Sequence, residues 1–280
     1  MLDRRLRRRI ANLVFVTVCG AATLLALGVL AMILVSLIQQ GVGGINLAVF
    51  TKSTPAPGSE GGLLNAIVGS VMLCVAAMAI SLVVGILAGT WLAEIGGRTP
   101  YGHLVRFLND VLLAAPSILV GLFVYEILVA PFHGFSGWAG AVALAMLATP
   151  IVTRTTEDIL NMQPHTLREA GMALGAPQWV TVRQIIWRAA GPGLLTGGLL
   201  GFARISGETA PLLFTALNNQ FFSLDMSKPM ASLPAVIFQF ALSAYDDWRR
   251  LAWAGALIIA TAVLAVNIIG RFLAREPRSR

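Results

Sequence analysis

The sequence predicts an all-α integral membrane protein with six transmembrane helices, and three observations carry that reading. Only 12% of its 280 residues are charged while 57% are hydrophobic, against roughly 25% charged in a soluble domain. Six apolar segments, about 10–38, 63–93, 105–130, 137–157, 190–216 and 251–272, reach the ~20 residues that a helix needs to cross the hydrocarbon. Both ends of the chain are rich in arginine, as expected when an even number of spans returns the chain to the side on which it began.

The first segment, "IANLVFVTVCGAATLLALGVLAMILVSLI", far exceeds the ~7–15-residue apolar centre of a cleavable signal peptide, so it is expected to stay as a span. The outer segment 40–62 is rich in Gly, Pro and Ser and reads as irregular loop. Span two holds Asn65 and Ser70, expected as hydrogen-bond donors between helices and not as ligands. A short inner loop, 94–104, leads to span three. Span four ends in Thr153, Arg154, Thr155 and Thr156; these suit either contact with an oxyanion or a plain anchor at a span end.

The inner link from about 158 to 189 is longer than a turn requires. Pro164 suits a first helical turn, Gly175 a left-handed stop and Pro177 a second helix start, which predicts two short helices around a sharp bend. Met172, Leu174 and Trp179 near the bend suit either insertion into a partner's groove or rest at the membrane interface. On the outer side, "NNQFFSLDMSKPMASLPAVIFQFALS" reads as a re-entrant or interfacial helix before span six, either capping a path or anchoring the chain.

Span five carries charge. At 100° per residue, Gly193, Gly197, Gly201, Arg204, Glu208, Pro211 and Thr215 share a sector of roughly 80°, predicted to face protein or a water-lined path, with bulky residues toward lipid. Arg204 falls about 18 Å along the helix from Pro192, near the middle of a ~30 Å hydrocarbon layer. An unpaired arginine there costs at least ~2.5–3.5 kcal/mol. Glu208 is the expected partner at i+4, and Pro211 frees the carbonyl of Gly207.

Fifteen of the 20 basic residues fall on one side: five in "RRLRRR", four in the tail "RFLAREPRSR", and Arg98, Arg106, Arg154, Arg168, Arg183 and Arg188. Both termini are therefore expected to be cytoplasmic. Topology and contact with anionic lipid account for the net charge of +7 without nucleic acid. Cys19 and Cys74 lie in spans and the three histidines are scattered, so no disulfide framework and no metal site is expected. Neither lysine, Lys52 or Lys228, sits in a Gly-rich phosphate cradle, so energy must come from another subunit or from an ion gradient.

"EAGMALGA", Glu169 to Ala176, followed by "VRQIIWRAAGPG", resembles the EAA loop of type I ABC-importer permeases. Gly171 stands where that loop commonly has a second Ala. Trp187 and Arg188 replace its usual Leu-Pro, which leaves the entry into span five in question. With "TPIVTRTTEDIL", "GETAPLLFTA" and "SLDMSKPMASLPAVIFQFALS", the chain over roughly 60–270 is similar to A-type permease subunits of phosphate-specific ABC transporters.

The resemblance implies the type I ABC-importer permease fold, with a basic N-terminus, first span and periplasmic loop over 1–62, a permease domain over 63–272 and a basic tail over 273–280. It implies a cytoplasmic coupling helix between helices 4 and 5 in which Glu169, Ala170, Gly171, Leu174 and Gly175 meet the ATPase. Arg204, Glu208, Thr209, Ser206 and Arg154 are expected along the translocation pathway, with no catalytic residue. The partners implied are a homologous permease subunit, two ATPase subunits, a periplasmic phosphate-binding protein, inorganic phosphate and the lipid of a bacterial inner membrane. No cofactor is expected on this chain, since ATP and Mg belong to the ATPase. The other readings are a permease for another oxyanion, an autonomous ion-driven carrier, and an added role as a membrane sensor.

Overall fold

The computed structural model describes residues 4–273, and every regular element among them is helical. Helix α1 (Arg4–Gly44) precedes a short α2 (Leu47–Thr51), whose first turn is closed by the Asn46 side chain accepting the N–H of Val49 at 3.0 Å. Then come α3 (Leu64–Trp91), extended by a π-helical turn over Leu92–Gly96, α4 (Pro100–Ala114), α5 (Ser117–Val124) with a π turn over Tyr125–Val129, and α6 (Gly137–Asn161). The remainder is α7 (His165–Ala173), α8 (Gln178–Thr181), a π turn over Val182–Ile186, α9 (Trp187–Ser206), α10 (Ala210–Thr215), α11 (Leu233–Ala241) and α12 (Asp246–Leu273).

Among the described residues, four helical runs are long and apolar enough to cross a membrane: Arg4–Gly44, Leu64–Gly96, Gly137–Asn161 and Asp246–Phe272. A fifth is the pair Pro100–Ala114 and Ser117–Val129, bent by 106°. The expectation of a single span over 105–130 thus meets a sharp break. Pro116 disfavours the helical conformation in the residue before it, and Ala115 is extended with ψ 132°. The expected helix over 190–216 is likewise two pieces, because α9 ends at Ser206 and α10 begins at Ala210. Pro211 has no N–H for a helical bond to Gly207, so the ladder stops there and restarts with the proline in a first turn, where none is needed.

The core is built around α6, whose apolar window is 67% buried against 28% for α3 and 22% for α12. Small residues set the approach distances. Cβ atoms placed on Gly85 and Gly89 of α3 would lie 2.7 Å from Val152 Cβ and 2.6 Å from the carbonyl oxygen of Thr153. Leu73, Ala77, Leu144, Ala148, Ile205 and Leu212 fill the centre where α3, α6, α9 and α10 meet. A second cluster joins α3, α11 and α12 through Ala66, Val236, Phe240 and Leu251, with Trp248 stacked on Phe240. Helix α1 stands almost wholly exposed and touches α12 near its own C-terminal end, where Gly41 abuts Leu257.

Polar ties lock the end of the bundle where α3 begins. The Asn65 side chain donates to the Thr54 hydroxyl and the Asn219 carbonyl, and accepts the N–H of Thr54. The Ser70 hydroxyl accepts the N–H of Leu233 at 2.7 Å, closing the start of α11. Asn65 donates between segments as expected, whereas Ser70, expected as a donor, accepts.

Candidate functional site

Arg204 lies in the last turn of α9, where the carbonyl end of the helix favours a cation. Its guanidinium reaches Glu208 at 3.1 Å, with the arginine side chain 54% exposed and the glutamate 12%. The i,i+4 pair forms although Glu208 stands beyond the helix end, because its N–H still bonds the carbonyl of Ile205 in a tight turn. Ser206 donates back to the carbonyl of Phe202, and Thr209 is the N-cap of α10, its hydroxyl making no capping bond. Immediately beyond, Pro211 packs on α5: a Cβ on Gly121 would lie 2.6 Å from its Cα. The two broken helices therefore meet beside the charged pair.

The small-residue stripe divides. Gly193, Gly197 and Gly201 face Ile159, Thr155 and Val152 of α6, as a close-packing face should, whereas Arg204 is open on the outer surface of this chain. The bulky residues do not all meet lipid. Ile205 is buried with Phe202 against it, and Leu199 lies against Gly270 of α12; Leu195 and Leu200 are the exposed ones. At the end of span four, Thr153 and Thr156 are buried against α3, and Thr155 packs on Gly197. Arg154 alone of that group is exposed, paired with Asp158 at 3.4 Å.

At the far end of α9 lies the bend predicted from Pro164, Gly175 and Pro177. Helix α7 ends in a Schellman motif: Ala176 N–H bonds the Gly171 carbonyl, Gly175 N–H bonds the Met172 carbonyl, and Gly175 has φ +78°. Met172 is 57%, Leu174 85% and Trp179 66% exposed, an apolar protrusion of the kind that marks a contact surface. Glu169 and Ala170 are exposed beside them, while Gly171 is buried with Thr181 so close that a Cβ would lie 2.6 Å from its hydroxyl.

The entry into span five at Trp187 and Arg188 is helical, with α9 following directly on the π turn. Residues 178–206 run helically without a loop through the π turn, and the Trp187 indole donates to the Thr90 hydroxyl of α3 at 3.1 Å.

Two buried ion pairs at this end went unforeseen. Arg168 of α7 holds Glu94 in a fork with a closest approach of 2.6 Å and also donates to the carbonyls of Leu160 and Gln163 at the end of α6. The bonded carboxylate raises the Arg168 pKa above its usual value. Arg106 of α4 similarly joins Glu157 of α6 at 2.6 Å and donates to the Gly97 carbonyl. The available signal was the placement of Glu94 and Glu157 at the ends of apolar runs, where a carboxylate requires a cation.

An all-helical bundle with several helices long and apolar enough to cross a membrane, two broken helices meeting beside an ion pair and an apolar bend projecting from one end has the architecture of a membrane-embedded permease. The chain belongs to the family of binding-protein-dependent transport system inner membrane components, which it matches over residues 81–279. It is 51% identical over 264 residues to the phosphate transport system permease protein PstA of Pasteurella multocida (strain Pm70), covering 94% of each chain. It is 54% identical over 242 residues to that of Haemophilus influenzae (strain ATCC 51907 / DSM 11121 / KW20 / Rd), covering 86% of each. Among solved structures, an inward-facing MetNI methionine ABC transporter chain matches with TM-score 0.65 at 17% identity, over 76% of this chain and 94% of that one. The fold is that of the type I ABC-importer permeases.

Proposed function

We propose that this chain forms half of the membrane pathway of an ATP-driven phosphate importer, with Arg204 as a transient cationic contact for the anion and Glu208 as its partner when the path is empty. The observation that carries this is the open Arg204–Glu208 pair at the junction of two broken helices. A planar guanidinium matches phosphate oxygens with parallel hydrogen bonds, and the half-exposed position lets it exchange one partner for another. Ser206 and Thr209 supply hydroxyls beside it, and Arg154 stands nearer the other end of the path. Similarity to the two phosphate permeases supports phosphate as the anion.

A homologous permease covers the open face, a periplasmic phosphate-binding protein delivers substrate, and two ATPase subunits bind ATP and Mg. The bend from Glu169 through Ala170, Gly171 and Leu174 to Gly175 is the coupling surface, its exposed Leu174 entering a groove of the ATPase. Both termini are cytoplasmic, in the inner membrane of a bacterium.

Phosphate uptake by an assembled complex carrying Arg204→Gln tests the reading. Uptake falls to background while basal ATP hydrolysis and subunit stoichiometry persist; normal uptake assigns the pair a purely structural role. Broken helices also occur in ion-driven carriers. Collapse of both the proton and the sodium gradient at constant ATP leaves uptake intact on the present reading and stops it on that one.

A further inference from the structure

We propose that the groove between the end of α3 and the α8–α9 run binds one anionic phospholipid, its phosphate on Arg183 and an acyl chain along Leu87 and Trp91. The groove encloses about 520 Å³, and its walls include Leu87, Trp91, Ile95, Trp179, Arg183 and Trp187. It runs from the interior of an apolar span to its end, since Leu87 precedes Glu94 by about 10 Å of helix. Leu87 is 57% exposed and Ile95 65%. A surface continuous from hydrocarbon depth to the interface fits an amphipathic molecule with a long chain, whereas a soluble partner reaches only its outer end.

Three indoles in one groove are the side chains that favour headgroup level, apolar in the ring and polar at the N–H. The Trp187 indole is held as a fixed wall by its bond to Thr90, and Trp91 is steadied by Tyr101 in an edge-to-face contact at 5.5 Å. Charge selects the headgroup. Glu94 also lines the groove, but Arg168 neutralises it at 2.6 Å. Arg183 is exposed and makes no ion pair among the described residues. The groove is therefore net cationic, the arrangement by which basic pockets between membrane helices hold acidic headgroups.

Titrating the full-length chain in detergent with phosphatidylglycerol brominated on its acyl chains, and with phosphatidylcholine brominated alike, reads the site through quenching of tryptophan fluorescence. Phosphatidylglycerol is expected to reach half-saturation at a roughly fivefold lower concentration, the effect of one basic residue at an anionic headgroup. Arg183→Gln abolishes that preference, Arg98→Gln retains it, and Trp187→Phe removes a large part of the quenching. Equal quenching by the two lipids, or an undiminished preference in Arg183→Gln, overturns the proposal. Quenching persists in the complex with the second permease and the ATPase; its loss on assembly makes the groove a subunit interface and also overturns the proposal.

Discussion

Arg204 is stabilised twice, by the carbonyl end of α9 and by a carboxylate four residues on, so it needs no third partner to remain charged among apolar neighbours. On the proposed reading the carbonyl end of α9 goes on supporting the charge while a passing anion takes the place of Glu208. Arg204→Lys keeps the charge but loses the planar fork, and is expected to lower uptake about tenfold, a loss of ~1.4 kcal/mol. Glu208→Gln removes the competitor: half-saturating phosphate falls and so does the maximal rate, because the anion is no longer displaced, as transport kinetics in proteoliposomes would show. A permanent clasp would change assembly and leave both constants alone. Gly175 differs in kind, since nothing lies within 4 Å of a Cβ there and only φ +78° resists substitution. Gly175→Ala costs about 1 kcal/mol of local strain, measured as weakened co-purification of the ATPase with the chain otherwise normally folded.

At the scale of elements, the fork of Arg168 on Glu94 joins α7 to the end of α3, and its carbonyl contacts add the end of α6. Removing one member of so buried a pair costs on the order of 3–5 kcal/mol. Arg168→Gln is therefore expected to lower the thermal midpoint and, in complexes that survive, to leave ATP hydrolysis running with little uptake; tight coupling in that variant would deny Arg168 a transmitting role. The bend of α7 was legible in the sequence because proline and glycine impose local backbone geometry, which Pro164, Gly175 and Pro177 impose here. The breaks at Pro116 and Gly207–Pro211 carried the same kind of signal, but long apolar runs around them imitate continuous spans. The ion pairs bridge 74 and 51 residues of chain, a distance over which local pattern carries no pairing information. At the charged site the pair itself was legible from i,i+4 spacing, while the exposure of Arg204 and the burial of Thr153 and Thr156 depended on how α6 turns against α3 and α9.

For the whole molecule, the unequal distribution of arginine predicts which side each loop occupies. In a background lacking Cys19 and Cys74, a membrane-impermeant thiol reagent added to intact cells should label Ser59→Cys and spare Arg5→Cys; the reverse pattern would invert the assignment. The bundle is held together by glycine contacts, so its geometry is sensitive to volume: at Gly89 any Cβ meets the Thr153 carbonyl at 2.6 Å, and Gly89→Leu should abolish membrane accumulation of the chain. The uninterrupted helical passage from Gln178 to Ser206 has a mechanical corollary. Between the exposed bend and the arginine there is no loop to take up slack, and Pro192 is the single point where the bonding ladder lacks a donor. A push at one end therefore arrives at the other with little backlash, and stiffness at residue 192 sets the gearing: Pro192→Ala should alter how many ATP molecules are spent per ion moved before it alters how tightly anything binds.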